Sequence, residues 1–139
     1  MPDPKKLMDA KDIRKAILEA DDIRQEPVEA WGLTLTVRGL TGAQRDEWES
    51  SIIRMSPDGR KVTPNMRNFR AKLIAMCLVD AQGKRVFSDA DVEALGKKSG
   101  QELSRIYKVA QRLSGMSDED VEGLVKNFDS GQPDDSVSG

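Results

Sequence analysis

A change of hydrophobic period about a third of the way along is the feature that most constrains how this 139-residue chain can fold. Before the change, residues 33–38 alternate apolar and polar side chains with a period of two, as in a half-buried β-strand. Residues 26–30 precede them across the turn pair Trp31-Gly32, so the sequence predicts a β-hairpin. Pro27 has no N–H to donate to a β-ladder, and its strand is therefore expected at an edge of the sheet.

After the change, apolar side chains recur at the spacing of a helix. Thr41 and Gln44 form a capping box, and the apolar residues that follow predict a helix over residues 42–55. A loop is expected up to Thr63, which would cap a second helix over residues 64–79. The last two turns of that helix are apolar almost all round, so we expect it to be the central element of the core.

Four shorter helices complete the predicted fold. A narrow amphipathic helix over residues 9–20 precedes the hairpin, and three helices capped by Ser88, Ser99 and Ser117 follow the core helix. The predicted fold class is α+β, with a small N-terminal β-hairpin followed by a mainly helical bundle. The predicted organisation is a flexible N-terminus (1–8), a single domain (9–128) and a disordered acidic tail (129–139).

The residue types present argue against catalysis. The chain has no histidine and only one cysteine, Cys77, which lies in an apolar run and is expected to be a buried, inert thiol. Asp80 and Gly83 are expected in a turn, and their spacing does not match that of a calcium-binding loop. The sequence also contains no glycine-rich phosphate loop. We therefore predict no catalytic, metal-binding or cofactor-binding residue, and a protein that is not an enzyme.

Five residues are candidates for contact with a protein partner. Tryptophan and methionine suit an adaptable apolar groove, and residues 54–72 carry a local net charge of +5 that could receive an acidic partner. The alternatives are that the large apolar residues belong to the core, as we expect for Trp48, and that the basic segment is a solvated surface. Arg70 falls in the apolar arc of its helix, so its guanidinium either meets a carboxylate of this chain or faces a partner. The candidates are Trp31, Met55, Met66, Arg67 and Arg70.

Six short segments, spread over residues 21–128, give the sequence a family resemblance. They are WGLTLTVRGLTGAQRDEWE at 31–49, RAKL at 70–73, CLVD at 77–80, GKRVF at 83–87, ALGKKS at 94–99 and KNF at 126–128. In this order they resemble the tail assembly chaperones of long-tailed bacteriophages. The resemblance implies a small protein of the infected host's cytoplasm that coats the hydrophobic tape measure protein until tail-tube subunits replace it. It also implies absence from the mature virion, self-association, and the tail-tube protein as a further candidate partner.

Two other functions stay open at the level of the sequence. A virion structural protein, such as a tail or head-tail connector component, would remain in purified particles. A DNA-binding regulator is supported only by the short C-terminal helices and the basic segment at 54–72. One of those helices carries Arg105, Lys108 and Arg112 on one face, but Glu102 and the acidic residues that follow oppose DNA. We therefore expect no nucleic-acid partner. No apolar run approaches the roughly 18 residues that a membrane-spanning helix needs, so no membrane partner is expected either.

Overall fold

The structure, a computed structural model, describes residues 9–130, and it describes side chains as far as Lys126. The helices are α1 (Ala10–Leu18), α2 (Gly42–Ser51), α3 (Phe69–Cys77), α4 (Val92–Leu95), α5 (Gly100–Leu113) and α6 (Asp118–Ser130). The strands are β1 (Gln25–Ala30), β2 (Leu33–Arg38), β3 (Ile53–Met55), β4 (Val62–Pro64) and β5 (Leu78–Val79). The fold is α+β with an N-terminal β-hairpin, which confirms the predicted fold class.

The predicted hairpin is confirmed as β1 and β2, which pair antiparallel across Trp31-Gly32. A short third strand, β5, pairs antiparallel with the other side of β2, so the sheet order is β1-β2-β5. Strand β1 is thus an edge, as the proline predicts, and Pro27 lies opposite Thr36. Val28, Ala30 and Val37 are buried on the inner face of this sheet.

Helix α3 is the centre of the core, as predicted. Leu73, Ile74, Ala75 and Cys77 have no exposed surface, because α3 is covered by α5 and by the neighbouring helices α2 and α4. The predicted boundaries are wrong at both ends, since α3 begins at Phe69 and the apolar run continues past Cys77 as strand β5. Hydrophobicity predicts burial here, but it does not distinguish the last helical turn from a buried strand.

A second hairpin replaces parts of two predicted helices. Strands β3 and β4 pair antiparallel, so the extension of α2 to Met55 and the start of a helix at Pro64 are both wrong. The turn between the strands is held by Asp58 Oδ1, which accepts from the Ser56 hydroxyl at 2.5 Å and the Arg60 N–H at 3.0 Å. Helix α2 ends early, and the Lys72 ammonium donates to the Ser51 carbonyl at 2.8 Å.

Helices α5 and α6 begin where their capping residues predict, whereas the helix predicted after Ser88 starts as a 3₁₀ turn (Asp89–Asp91) and becomes α-helical only at Val92. Ser99 accepts from the Glu102 N–H and Ser117 from the Asp120 N–H, while Gly115 (φ +77°) follows the end of α5 in a left-handed conformation. Helix α6 runs to Ser130, two residues into the segment predicted as an acidic tail. Residues 131–139 of that segment and the predicted flexible residues 1–8 lie outside the described part of the chain.

Helix α1 stands apart from this core. Asp9 caps it by accepting from the Asp12 N–H at 2.9 Å, yet no residue of the helix is buried. Its apolar side chains Ile13, Ile17 and Leu18 are 43%, 65% and 66% exposed. Among residues 9–130, no helix is long and apolar enough to cross a membrane.

Candidate partner-binding site

Two neighbouring surface grooves contain three of the five candidate residues. The first, which we call the Met66 groove, has a volume of about 450 Å³ and is lined by Met66, Asn68, Phe69, Arg70, Ala71, Gly96, Lys98, Gly100, Leu103 and Ser104. The second, which we call the Trp31 groove, has a volume of about 320 Å³ and is lined by Trp31, Phe87, Asp91, Ala94, Leu95 and Lys98. Lys98 lines both, so the grooves meet at the connection between α4 and α5. Met66 is half-buried, and Trp31 is 36% exposed.

Arg70 lies at the Met66 groove with its guanidinium group against two aromatic rings. Its guanidinium carbon lies 4.5 Å from the ring centre of Phe69 and 5.7 Å from that of Tyr107, within the range of cation–π attraction. The two rings meet edge to face at 5.5 Å, and burial raises the pKa of the Tyr107 hydroxyl to about 12. Of the two alternatives for Arg70, the ion pair within the chain is not found, because no described carboxylate pairs with it. The two rings therefore position the Arg70 guanidinium group, and no described carboxylate neutralises its charge.

Arg67, in contrast, is already paired within the chain. Its guanidinium donates to both oxygens of Glu93, at 2.9 and 3.4 Å, and hydrogen bonding to Arg67 lowers the pKa of that carboxyl group. Asn68, in a left-handed conformation (φ +56°), also donates to Glu93 at 3.2 Å. A Cβ atom at Gly96 would overlap the Asn68 amide, so only glycine leaves room for this link between α3 and α4. These contacts fix one wall of the groove.

The bend that carries Trp31 is held by a contact from another part of the chain. Trp31 (φ +53°) and Gly32 (φ +72°) both adopt left-handed conformations, as a two-residue type I′ hairpin turn requires. A tryptophan in this conformation is strained by roughly 1–2 kcal/mol. The Glu102 carboxylate, at the start of α5, accepts the Trp31 N–H at 2.5 Å. Ser99 therefore accepts the Glu102 N–H without a reciprocal bond from the Glu102 side chain, because the glutamate binds the hairpin instead.

The structure separates the remaining large side chains into surface and core. Met55 lies on strand β3, away from both grooves, and is 63% exposed. Trp48 is buried, as expected, and its indole N–H donates to the Phe69 carbonyl at 3.1 Å. Cys77 is also buried, as expected, and burial raises the pKa of its thiol to about 12. Asp80 stabilises a turn, as expected, since its Oδ1 accepts from the Gln82 and Lys84 N–H groups.

The two grooves share the same kind of lining. Each combines aromatic or aliphatic lining with a cationic side chain, and the part of the chain that the structure describes contains no cluster that could hold a metal ion. Sequence reasoning missed Phe87, Leu95 and Lys98 as lining residues. The only signal for these residues in the sequence was the Lys97-Lys98 pair beside a helix cap. No local pattern connects Lys98 with Trp31, which lies 67 residues earlier.

Comparisons with known proteins give one family and one solved structure. A family model described as phage tail assembly chaperone matches residues 12–124. The structure of the bacteriophage HK97 tail assembly chaperone matches with 20% sequence identity and a TM-score of 0.49, covering 73% of this chain and 96% of that chain. No curated protein sequence matches this chain.

Proposed function

Since the chain belongs to the phage tail assembly chaperone family, we propose that it binds the tape measure protein and keeps it soluble until tail-tube subunits replace it. In this proposal it acts in the host cytoplasm by binding and without catalysis, in several copies on each tape measure chain. It then leaves before the virion is complete, with the tail-tube protein as a further contact.

The Met66 groove is the observation that carries this proposal. Amphipathic helices dock in grooves through an apolar stripe with polar flanks, and the lining of this groove is likewise part apolar and part polar. Methionine adapts its shape to different side chains along such a partner. Met66, Phe69 and Leu103 supply apolar lining, while Arg70 and Lys98 supply charge at the groove. A partner helix with an apolar stripe and acidic flanks fits this arrangement.

The arginines that suggested other partners are largely engaged within the chain. On α5, Arg105 forms an ion pair with Glu102 at 3.0 Å, and Arg112 forms one with Glu26 at 2.7 Å. A DNA-binding face would need these guanidinium groups for phosphates. Within the described part of the chain, Arg70 contacts the rings of Phe69 and Tyr107 and forms no ion pair, whereas Arg67 is paired with Glu93. Of the two candidate arginines we therefore assign the partner contact to Arg70.

Co-expression with the tape measure protein tests the proposal. We expect the parent chain to convert an insoluble tape measure product into a soluble complex that contains several copies of this chain. Met66→Asp and Arg70→Glu should weaken that rescue, because one places a carboxylate in the apolar lining and the other reverses the charge at the groove. Arg54→Glu is the matched control, since Arg54 is an exposed arginine on β3 outside both grooves.

Two results would contradict the proposal. Circular dichroism must show that each variant is folded, and a folded Arg70→Glu variant that rescues as well as Arg54→Glu would remove the Met66 groove from the binding surface. Finding this chain as a stoichiometric component of purified virions, with no effect on tape measure solubility, would instead support the virion structural protein. Moderate salt should leave the complex largely intact, because apolar burial and not exposed charge is expected to hold it.

A further inference from the structure

We propose that helix α1 of one copy docks in the Trp31 groove of a second copy of this chain. This inference rests on the self-association that belongs to the proposed function, and it names the two surfaces that make the contact. The surfaces are different parts of the molecule, so the contact is heterologous and can repeat from copy to copy. A protein that coats a long partner requires such an open arrangement.

The first argument is that α1 needs a covering partner to be stable. It contains nine residues, whereas isolated helices shorter than about 12–15 residues are marginal in water even with favourable sequences. Helices of this length depend on packing of an apolar face, yet no residue of α1 is buried in its own chain. Ile13 and Ile17, four residues apart, lie on the same face and are both largely exposed.

The second argument is charge complementarity at matching spacing. Along α1 and the residues after it, Arg14 is followed seven positions later by Asp21 and then by Asp22. Along α4 the order of charge is reversed, since Asp91 is followed seven positions later by Lys98. When α1 lies parallel to α4, Arg14 faces Asp91 and the aspartates face Lys98. None of these five side chains forms an ion pair within the described part of the chain, although Asp91 accepts hydrogen bonds from the Ser88 N–H and hydroxyl through Oδ2.

The third argument is that the apolar parts correspond in the same orientation. Between Asp91 and Lys98, the groove presents Trp31, Phe87, Ala94 and Leu95. On α1, Ile17 lies between Arg14 and Asp21, and Ile13 lies one helical turn before Ile17 on the same face. Exposed isoleucines and an exposed tryptophan would thus cover one another, which removes apolar surface from water on both copies.

The groove of the same copy is poorly placed to receive α1. Arg24 is fixed to the sheet through its carbonyl, which accepts the Gly39 N–H at 2.9 Å. Leu18, the last residue of α1, is six residues before Arg24, so this connection spans at most about 21 Å when fully extended. Trp31 is seven residues after Arg24 and lies about 23 Å further along β1, in the direction of the groove. A second copy has no such restriction.

Sedimentation velocity over a dilution series tests the contact with two variants and two matched controls. Ile17→Asp disables α1, and its control Lys15→Asp places the same carboxylate on the polar face of the helix. Ala94→Arg blocks the groove at an exposed position, and its control Ala90→Arg alters an exposed alanine outside the Trp31 groove. We expect the parent and both controls to associate as concentration rises, and both groove-contact variants to associate at least about 10-fold more weakly.

Mixing the two disabled variants gives the sharpest outcome. Ile17→Asp keeps an intact groove and Ala94→Arg keeps an intact α1, so an equimolar mixture should form a one-to-one pair and nothing larger. Lys98→Glu should also weaken association, and adding Asp22→Lys to the same chain should restore it. A mixture that stays monomeric, or an Ile17→Asp variant that associates like the parent, would overturn the proposal.

The tape measure assay separates this inference from the proposed function. A parent chain that is monomeric at all concentrations but still solubilises the tape measure protein would overturn the α1 contact and leave the proposed function standing. Loss of that rescue in Ile17→Asp, with the parent monomeric, would assign α1 to the tape measure protein and also overturn the contact. Association through α1 without any rescue would support the contact and count against the proposed function.

Discussion

Gly39 provides a sharp test of how the sheet and helix α5 are joined. It is buried at the end of β2, where the chain crosses the C-terminal end of α5. A Cβ atom at this position would lie 2.5 Å from the Leu113 carbonyl oxygen and 2.9 Å from its carbonyl carbon. Ordinary contacts between carbon atoms are about 3.5–4.0 Å, so Gly39→Ala requires the two backbones to separate by about 1 Å.

The expected loss follows from the contacts at this crossing. Overpacking a well-packed site costs about 1–3 kcal/mol. The separation also stretches the hydrogen bond from the Leu40 N–H to the Ser114 hydroxyl (3.0 Å), which is worth roughly 1 kcal/mol. We expect Gly39→Ala to lower the free energy of unfolding by about 2–4 kcal/mol, and the melting temperature by roughly 8–16 °C.

Urea and thermal unfolding followed by circular dichroism measure this change. Gly42→Ala is the matched control, because Gly42 is the first residue of α2 and a Cβ there would have no atom within 4 Å. Alanine is favoured over glycine in helices by up to about 1 kcal/mol, so the control should be as stable as the parent or slightly more stable. If Gly39→Ala unfolds within about 0.5 kcal/mol of the parent, this crossing does not join the sheet to α5, and the argument is refuted.

Three further predictions concern the core, the thiol and a surface ion pair. Leu73→Ala should lower the free energy of unfolding by about 2–5 kcal/mol in the same urea assay, because Leu73 has no exposed surface, and a variant as stable as the parent would contradict the central place of α3. Cys77 should react with a thiol reagent only as fast as the protein opens. Burial raises the pKa of its thiol from 9.0 to about 12, so the contribution of the thiol to stability should be complete below pH 9 and be lost as pH rises toward 12. Arg112→Gln should lower the melting temperature far less than Leu73→Ala, since its ion pair with Glu26 is exposed. Hydrogen bonding to Arg112 lowers the pKa of Glu26, so this difference from the parent should be present above pH 4.5 and disappear as pH falls and the carboxyl group is protonated.

Elements with a strong local signal could be predicted from the sequence. The period of two in residues 33–38 and the turn at Trp31-Gly32 specify the first hairpin. Capping residues fix helix starts because their side chains bond to backbone N–H groups only three positions away, as Thr41 and Ser117 do. The length of the apolar run around Leu73 specifies burial. All of these interactions join residues that are close in sequence, so they can be recognised from the pattern of residues along the chain.

Elements whose partners are distant in sequence could not be predicted. Strands β3 and β4 have three residues each, too few to show a period, and Ile52 and Met55 continue the helical spacing of α2. Only pairing between the strands reveals that the helix has ended. Likewise β5 is a strand because β2 offers it an open edge, and no local feature separates Leu78 from the helix before it.

The sequence therefore determined the composition of the core, the first hairpin and the helix caps, while tertiary structure decided the surface. Arg70 shows the division, because its place in an apolar arc was evident, but the rings that hold it come from Phe69 on its own helix and from Tyr107 on α5. Trp31 shows it again, since Glu102, 71 residues away, holds its bend and Phe87 and Lys98 complete its groove. Local backbone preferences and hydrophobic periods act between near neighbours, whereas a groove forms only when packing of the core brings separate helices and loops side by side.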